Sequence, residues 1–197
     1  MTTHPNGLRA AAVDYGSRLA KVLARQDWSG VERLADELRD CWSSGRNVFL
    51  CGNGGSAANA IHLANDFAFP ISKTHGSGLR IAALAANPTT LTCIANDKGY
   101  EEIFATQLAV LARAGDVLVV LSGSGDSPNI LRAIDQAKAM SVKSFAIVAY
   151  SGGRAKAMAD VAIHVAADDM QIAEVMQLIV GHAIMQWLHR NPPAAEE

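Results

Sequence analysis

Cysteine is scarce in this chain: Cys41, Cys51 and Cys93 are odd in number and sit in or near apolar segments rather than in close pairs. That pattern offers neither a disulfide framework nor a cysteine-paired metal cluster, and it suits a reducing compartment. An excess of either charge is lacking too, with 17 Lys and Arg against 19 Asp and Glu for a net −2. So balanced a field exerts little pull on nucleic acid or an anionic membrane, and the expected partner is a small molecule. No uncharged apolar run approaches the ~20 residues of a membrane span, and the polar stretch Met1 to Asn6 carries no charged-then-apolar signal pattern. The expectation is a cytoplasmic protein with no membrane and no nucleic-acid partner. Internal repeats and low-complexity linkers are also missing, and half of the 197 residues are hydrophobic, enough for one sizeable core. One domain over residues 1–197 is expected, with an N-terminal helical segment over 7–45 and a frayed tail over 191–197.

Hydrophobic periodicity supplies the elements. Leu8 to Arg25 and Trp28 to Ser44 read as amphipathic helices, the second with Val31, Leu34, Leu38 and Trp42 at three- and four-residue spacing. Short β-branched or leucine-rich runs then alternate with helical stretches. The expected strands are Asn47 to Cys51, Arg80 to Ala86, Val117 to Leu121, Lys143 to Ala149 and Val161 to Val165. The expected helices are Ser56 to Phe67, Glu101 to Ala114, Ser127 to Met140 and Asp169 to Arg190, with a short helix leading to Asn96 near the sheet edge. This alternation predicts an α/β fold, a three-layer α-β-α sandwich around a mostly parallel central sheet.

Two glycine-rich loops carry the chemistry. Cys51-Gly52-Asn53-Gly54-Gly55-Ser56 follows the first strand and opens a helix, so its backbone N–H groups can hold an anion or a sugar hydroxyl beside the Asn53 amide. The alternative is a tight turn with Ser56 as the helix cap. Ser122-Gly123-Ser124-Gly125-Asp126-Ser127 follows the strand Val117 to Leu121 and ends at Pro128, which suits a first helical turn. Three hydroxyls, small glycines and a helix start make a phosphate cradle, the alternative being a loop in which Ser127 serves as cap. Neither loop has the lysine of a Walker A motif or the six-residue dinucleotide fingerprint, so no nucleotide cofactor is expected.

His62 and Asp66, four residues apart on the helix from Ser56, share one face beside the first loop and can act together, although a structural histidine and a solvated carboxylate fit the same spacing. In the last helix Gln171, Glu174, Gln177 and His182 interrupt an otherwise apolar surface of Ile172, Val175, Met176, Leu178, Ile179 and Val180. So apolar a helix is buried, against other subunits as well, and buried polar groups need partners. Glu174 and His182 therefore face either a site or an inter-subunit hydrogen-bond network. Asn96-Asp97 suits sugar hydroxyls and turn chemistry equally.

The runs CGNGGSAANAIHLANDF, CIANDKGYEEIF, GDVLVVLSGSGDSPNILRAI and QLIVGH together resemble the sedoheptulose 7-phosphate (phosphoheptose) isomerases of the sugar-isomerase (SIS) domain superfamily, over nearly the whole chain to residue 190. The resemblance implies a flavodoxin-like SIS domain, a homotetramer with sites between subunits, and aldose–ketose isomerisation of sedoheptulose 7-phosphate to a heptose 7-phosphate through an enediol. It implies sugar and phosphate binding at Asn53, Gly54, Gly55, Asn96, Asp97, Ser122, Gly123, Ser124 and Ser127, to which Glu174 is added. Some members hold zinc at the positions of His62, Asp66, Glu174 and His182, so one divalent metal per site, zinc first, is the cofactor expectation. Asp66 and His182 are the expected catalytic proton-transfer groups.

Two positions depart from the family pattern. Asp66 stands where the family has Glu, and Glu174 where an ungapped alignment has Gln, with Gln171 a rival for that role. A carboxylate shortened by one methylene sits back by about 1.5 Å, and misplacement on that scale can cost ~10²-fold in rate. The departures leave a second reading open, a non-catalytic phosphosugar-binding module with a regulatory or protein-interaction role.

Overall fold

The computed structural model describes residues 7–193, in which five strands form one sheet: β1 Asn47–Gly52, β2 Arg80–Ala83, β3 Val117–Ser122, β4 Lys143–Val148 and β5 Val161–His164. Every pairing is parallel, in the order β2-β1-β3-β4-β5. A strand paired on both edges and covered on both faces reads as an unbroken apolar run, and β3 is buried at every position. Its side chains alternate: Val117, Val119 and Leu121 enter one core, Leu118 and Val120 the other.

The helices are α1 Leu8–Arg25, α2 Ser29–Ser44, α3 Gly55–His75, α4 Pro88–Lys98, α5 Ala105–Leu111, α6 Pro128–Ala139, α7 Ala155–Met158 and α8 Met170–Arg190. Buried residues of α2, α3 and α8 fill the core on one face of the sheet, and those of α5, α6 and α7 fill the other. The expected three-layer α/β sandwich is therefore present. α1 has no buried residue at all, with Leu8 87% and Val13 63% exposed.

Several boundaries differ from expectation. α3 does not stop at Phe67 but continues through Pro70 to His75. A helical proline removes one bond, here to the carbonyl of Asp66, and the fully buried Ile71 holds the next turn on the core. Strand β2 ends at Ala83 rather than Ala86, because Ala86 N–H turns back to the Ala83 carbonyl and the Asn87 side chain caps α4 by accepting from Thr90 N–H. The stretch from Glu101 to Ala114 is divided into a 3-10 turn, Tyr100–Glu102, and α5. Ile103 and Phe104, both buried, break the single helical face. The last residues of the expected frayed tail, 194–197, lie outside the described residues.

The topology dictates where a ligand can enter. The helix after β1, α3, packs on one face of the sheet and the helix after β3, α6, on the other, while β1 and β3 are neighbours. Their C-terminal ends therefore open a crevice at the switch in strand order. Both glycine loops lie there.

Candidate active site

The first loop is fixed by backbone conformation. Gly54 is the N-cap of α3 with φ 55° and ψ −122°, a region that side chains avoid. Ser56 is thus not the cap; its hydroxyl is buried and accepts from Gln177 Nε2 at 3.0 Å. Asn53 and Asn129 exchange amide hydrogen bonds of 2.9 and 2.8 Å, and the Tyr100 hydroxyl donates to Asn53 Oδ1 at 2.9 Å. These partners aim the Asn53 amide and tie the β1 loop to α6.

The second loop is held from below. The Ser122 hydroxyl accepts from Gly125 N–H at 3.1 Å, and a methyl added at Gly125 would lie 2.0 Å from the Gly152 carbonyl. Asp126 accepts from Arg154 N–H at 3.0 Å and from its guanidinium at 3.1 Å, and these donors, the backbone one first, hold its carboxyl below the ordinary value. Ser127 stands at the N-cap of α6 without making a side-chain cap bond. Asn53, Gly54, Gly55, Ser122, Gly123, Ser124, Ser127 and Glu174 line one pocket of about 250 Å³. Asn96 and Asp97 do not line it; they are exposed at the end of α4, hydrogen-bonded to each other at 2.9 Å.

Farther along, α3 and α8 run side by side in the same direction, pairing Gly55 with Glu174, Asn59 with Gln177, Leu63 with Gly181 and Thr74 with His189. Asn59 Nδ2 donates both to the Glu174 carbonyl and to Gln177 Oε1, at 2.9 Å each, and so pins the register. This register joins His62, Asp66 and His182. His62 Nε2 and His182 Nε2 are 3.0 Å apart, and Asp66 Oδ2 is 3.3 Å from each. Four-coordinate zinc with ligands at about 2.0–2.1 Å separates them by about 3.3 Å, so the triad's edges and its N, N, O donor set fit such an ion. Asp66 meets both rings through Oδ2 and keeps Oδ1 turned away, where the Asn65 amide approaches at 3.3 Å. Glu174 is not brought to the triad: its carboxylate lies over Gly55, two turns nearer the start of α8, and Gln171 is exposed.

A family model, the SIS domain, matches residues 13–149. The phosphoheptose isomerase of Chlorobaculum tepidum is 35% identical over 181 residues, covering 89% of this chain and 85% of the relative. The chain belongs to the phosphoheptose isomerase family of SIS-domain proteins. Another phosphoheptose isomerase, from a Nitratiruptor species, is 40% identical over 139 residues, 71% of this chain and 74% of that one. Among solved structures, the phosphoheptose isomerase of Neisseria gonorrhoeae superposes with a TM-score of 0.85 at 27% identity, over 93% of this chain and 100% of that chain. The Vibrio vulnificus NanR protein complexed with ManNAc-6P shares the fold, with a TM-score of 0.70 at 12% identity, over 95% of this chain and 64% of that one. In this phosphoheptose isomerase family member the residues that sequence reasoning missed are Asn59, Tyr100 and Asn129, all supporting groups. Asn129 carried the one available signal, an amide inside the apolar run that opens α6.

Proposed function

We propose that this chain isomerises sedoheptulose 7-phosphate to a heptose 7-phosphate through an enediol, as a cytoplasmic homotetramer of single-domain subunits. One observation carries the reading: the parallel pair α3 and α8 bears the anion cradle at its start and the His62, Asp66, His182 triad farther along. Seven residues of helix separate Gly55 from His62, about 10 Å, a span that a seven-carbon sugar phosphate can bridge. In this reading Ser122, Ser124, Ser127 and the open N–H groups of both loops hold the phosphate, and Asn53 and Glu174 meet sugar hydroxyls. Asn96 and Asp97 stand outside the pocket of one subunit and would meet the sugar at its rim.

Asp66 takes a proton from C1 of the ketose and returns one to C2 through Oδ1, the oxygen turned away from the two rings, which accepts a 3.3 Å hydrogen bond from the Asn65 amide. His182, whose Nε2 lies 3.3 Å from Asp66 Oδ2, moves the proton between the two oxygens. His62, Asp66 and His182 would hold the divalent ion, zinc first. When bound, the ion polarises the sugar carbonyl. Assembly is supported by α1, which has no fully buried residue and leaves Leu8 and Val13 exposed within one subunit.

An NMR time course of sedoheptulose 7-phosphate, with and without added zinc, tests the reading. Conversion supports it. The second reading, a non-catalytic binding module, is favoured by the shortened Asp66 engaged with both rings, and it yields thermal stabilisation by the sugar phosphate with no conversion. Elemental analysis of untagged protein tests the metal: His62→Ala should lose what the parent retains.

A further inference from the structure

Met170 and Glu174, one turn apart on α8, cover the two glycine loops separately. A methyl added at Gly123 would stand 2.6 Å from Met170 Sδ, and one added at Gly55 would stand 2.3 and 2.5 Å from the two oxygens of Glu174. The Glu174 carboxylate thus lies on the first residue of α3, inside the pocket that the serine loop also lines. Only its backbone carbonyl is engaged, by Asn59; among the described residues the carboxylate takes no hydrogen bond and no ion pair. No lysine or arginine lines the pocket. The arginines on the flanking segments are committed elsewhere, Arg154 to Asp126 and Arg18 to Asp169.

A phosphate pocket without a cation, containing an unpaired carboxylate, is costly for a bare anion. Like charges repel strongly where water is thin. Inorganic phosphate as the dianion offers mainly acceptor oxygens and leaves the carboxylate unpaired. A phosphate ester of a polyhydroxylated chain brings hydroxyl donors beside the phosphoryl group, and hydrogen bonds to a charged acceptor are among the strong ones. A site built around such a bond rejects analogues that lack the donor.

We propose that Glu174 is the selectivity filter of the cradle, accepting hydroxyls that flank the phosphate of a sugar phosphate and repelling the free anion. The inference rests on the reading of the serine loop as a phosphate site. It makes Glu174 more than a neutral contact: its negative charge keeps cellular inorganic phosphate from occupying the cradle.

Calorimetric titration of the parent, Glu174→Ala and Glu174→Gln with sedoheptulose 7-phosphate and with inorganic phosphate tests this. Since the side chain makes no hydrogen bond among the described residues, all three proteins should melt at the same temperature. Glu174→Ala should bind inorganic phosphate about tenfold tighter and the sugar phosphate about tenfold more weakly. Glu174→Gln, which keeps an acceptor without the charge, should gain for inorganic phosphate and hold the sugar phosphate. If both substitutions shift the two ligands by one common factor, or leave inorganic phosphate unchanged, Glu174 is not the filter. If the parent binds neither ligand, the phosphate assignment itself fails and the filter falls with it.

Discussion

Gly181 of α8 lies so close to Leu63 of α3 that a methyl added there would stand 2.3 Å from Leu63 Cδ2. Both residues are buried, and the next side chains along, His62 and His182, form two corners of the triad. Gly181→Ala gains about 1 kcal/mol of helix propensity but forces apart a packed contact, which typically costs 1–3 kcal/mol. We expect a net fall in melting temperature of a few degrees at this chain length, and a larger fall in turnover as the imidazoles separate. Calorimetry and an activity assay on the same sample check this; an unchanged triad activity at a higher melting temperature would show that the close approach is dispensable.

Ser124→Ala removes a hydroxyl whose one side-chain hydrogen bond among the described residues is a weak one, accepting from Asp126 N–H at 3.4 Å. The loop should therefore keep its shape while phosphosugar binding weakens by roughly 1.5–3 kcal/mol, the scale of a hydrogen bond to a charged oxygen. Equal affinity of parent and variant in titration calorimetry would remove Ser124 from the cradle.

Much of this site was legible because glycine and serine at the end of a parallel strand have few other uses. Both loops were found, and so was the helix spacing of His62 and Asp66. The partner of Gln177 was not, because a buried amide announces that it needs partners without saying which; Ser56 and Asn59 come from a helix more than a hundred residues earlier. The divided stretch after Tyr100 was misread as one helix because tertiary contacts, Tyr100 to Asn53 and Glu102 to Arg132, decide its path. The carboxylate of Glu174 was expected with the histidines because the family resemblance implied it; the pairing with Gly55 is set by the register of α3 against α8, which no local pattern encodes.

Acid should destabilise the fold partly through Asp160. Burial alone would raise its carboxyl, but the N–H and hydroxyl of Ser144, with the charge of Lys143, outweigh that and hold it below the ordinary value. A carboxyl lowered in the folded state stabilises above its unfolded value, near about 4, and that contribution is lost as pH falls through the folded value. Thermal melts from about pH 5 to about pH 2 should therefore drop less steeply for Asp160→Asn than for the parent. Parallel curves would assign acid sensitivity elsewhere.

The most direct test of the account is isomerisation of sedoheptulose 7-phosphate in deuterium oxide, followed by NMR and mass spectrometry for the parent and Asp66→Asn. Proton transfer through an enediol, with the proton held on Asp66 exchanging with solvent before one is returned, predicts an aldose product bearing solvent deuterium at C2, and deuterium entering C1 of the remaining ketose. Asp66→Asn should slow both by at least ~10²-fold, while still binding the sugar phosphate. A parent that binds the sugar phosphate yet neither converts it nor exchanges its C1 hydrogens, with zinc supplied, would contradict the account and leave a binding protein in its place.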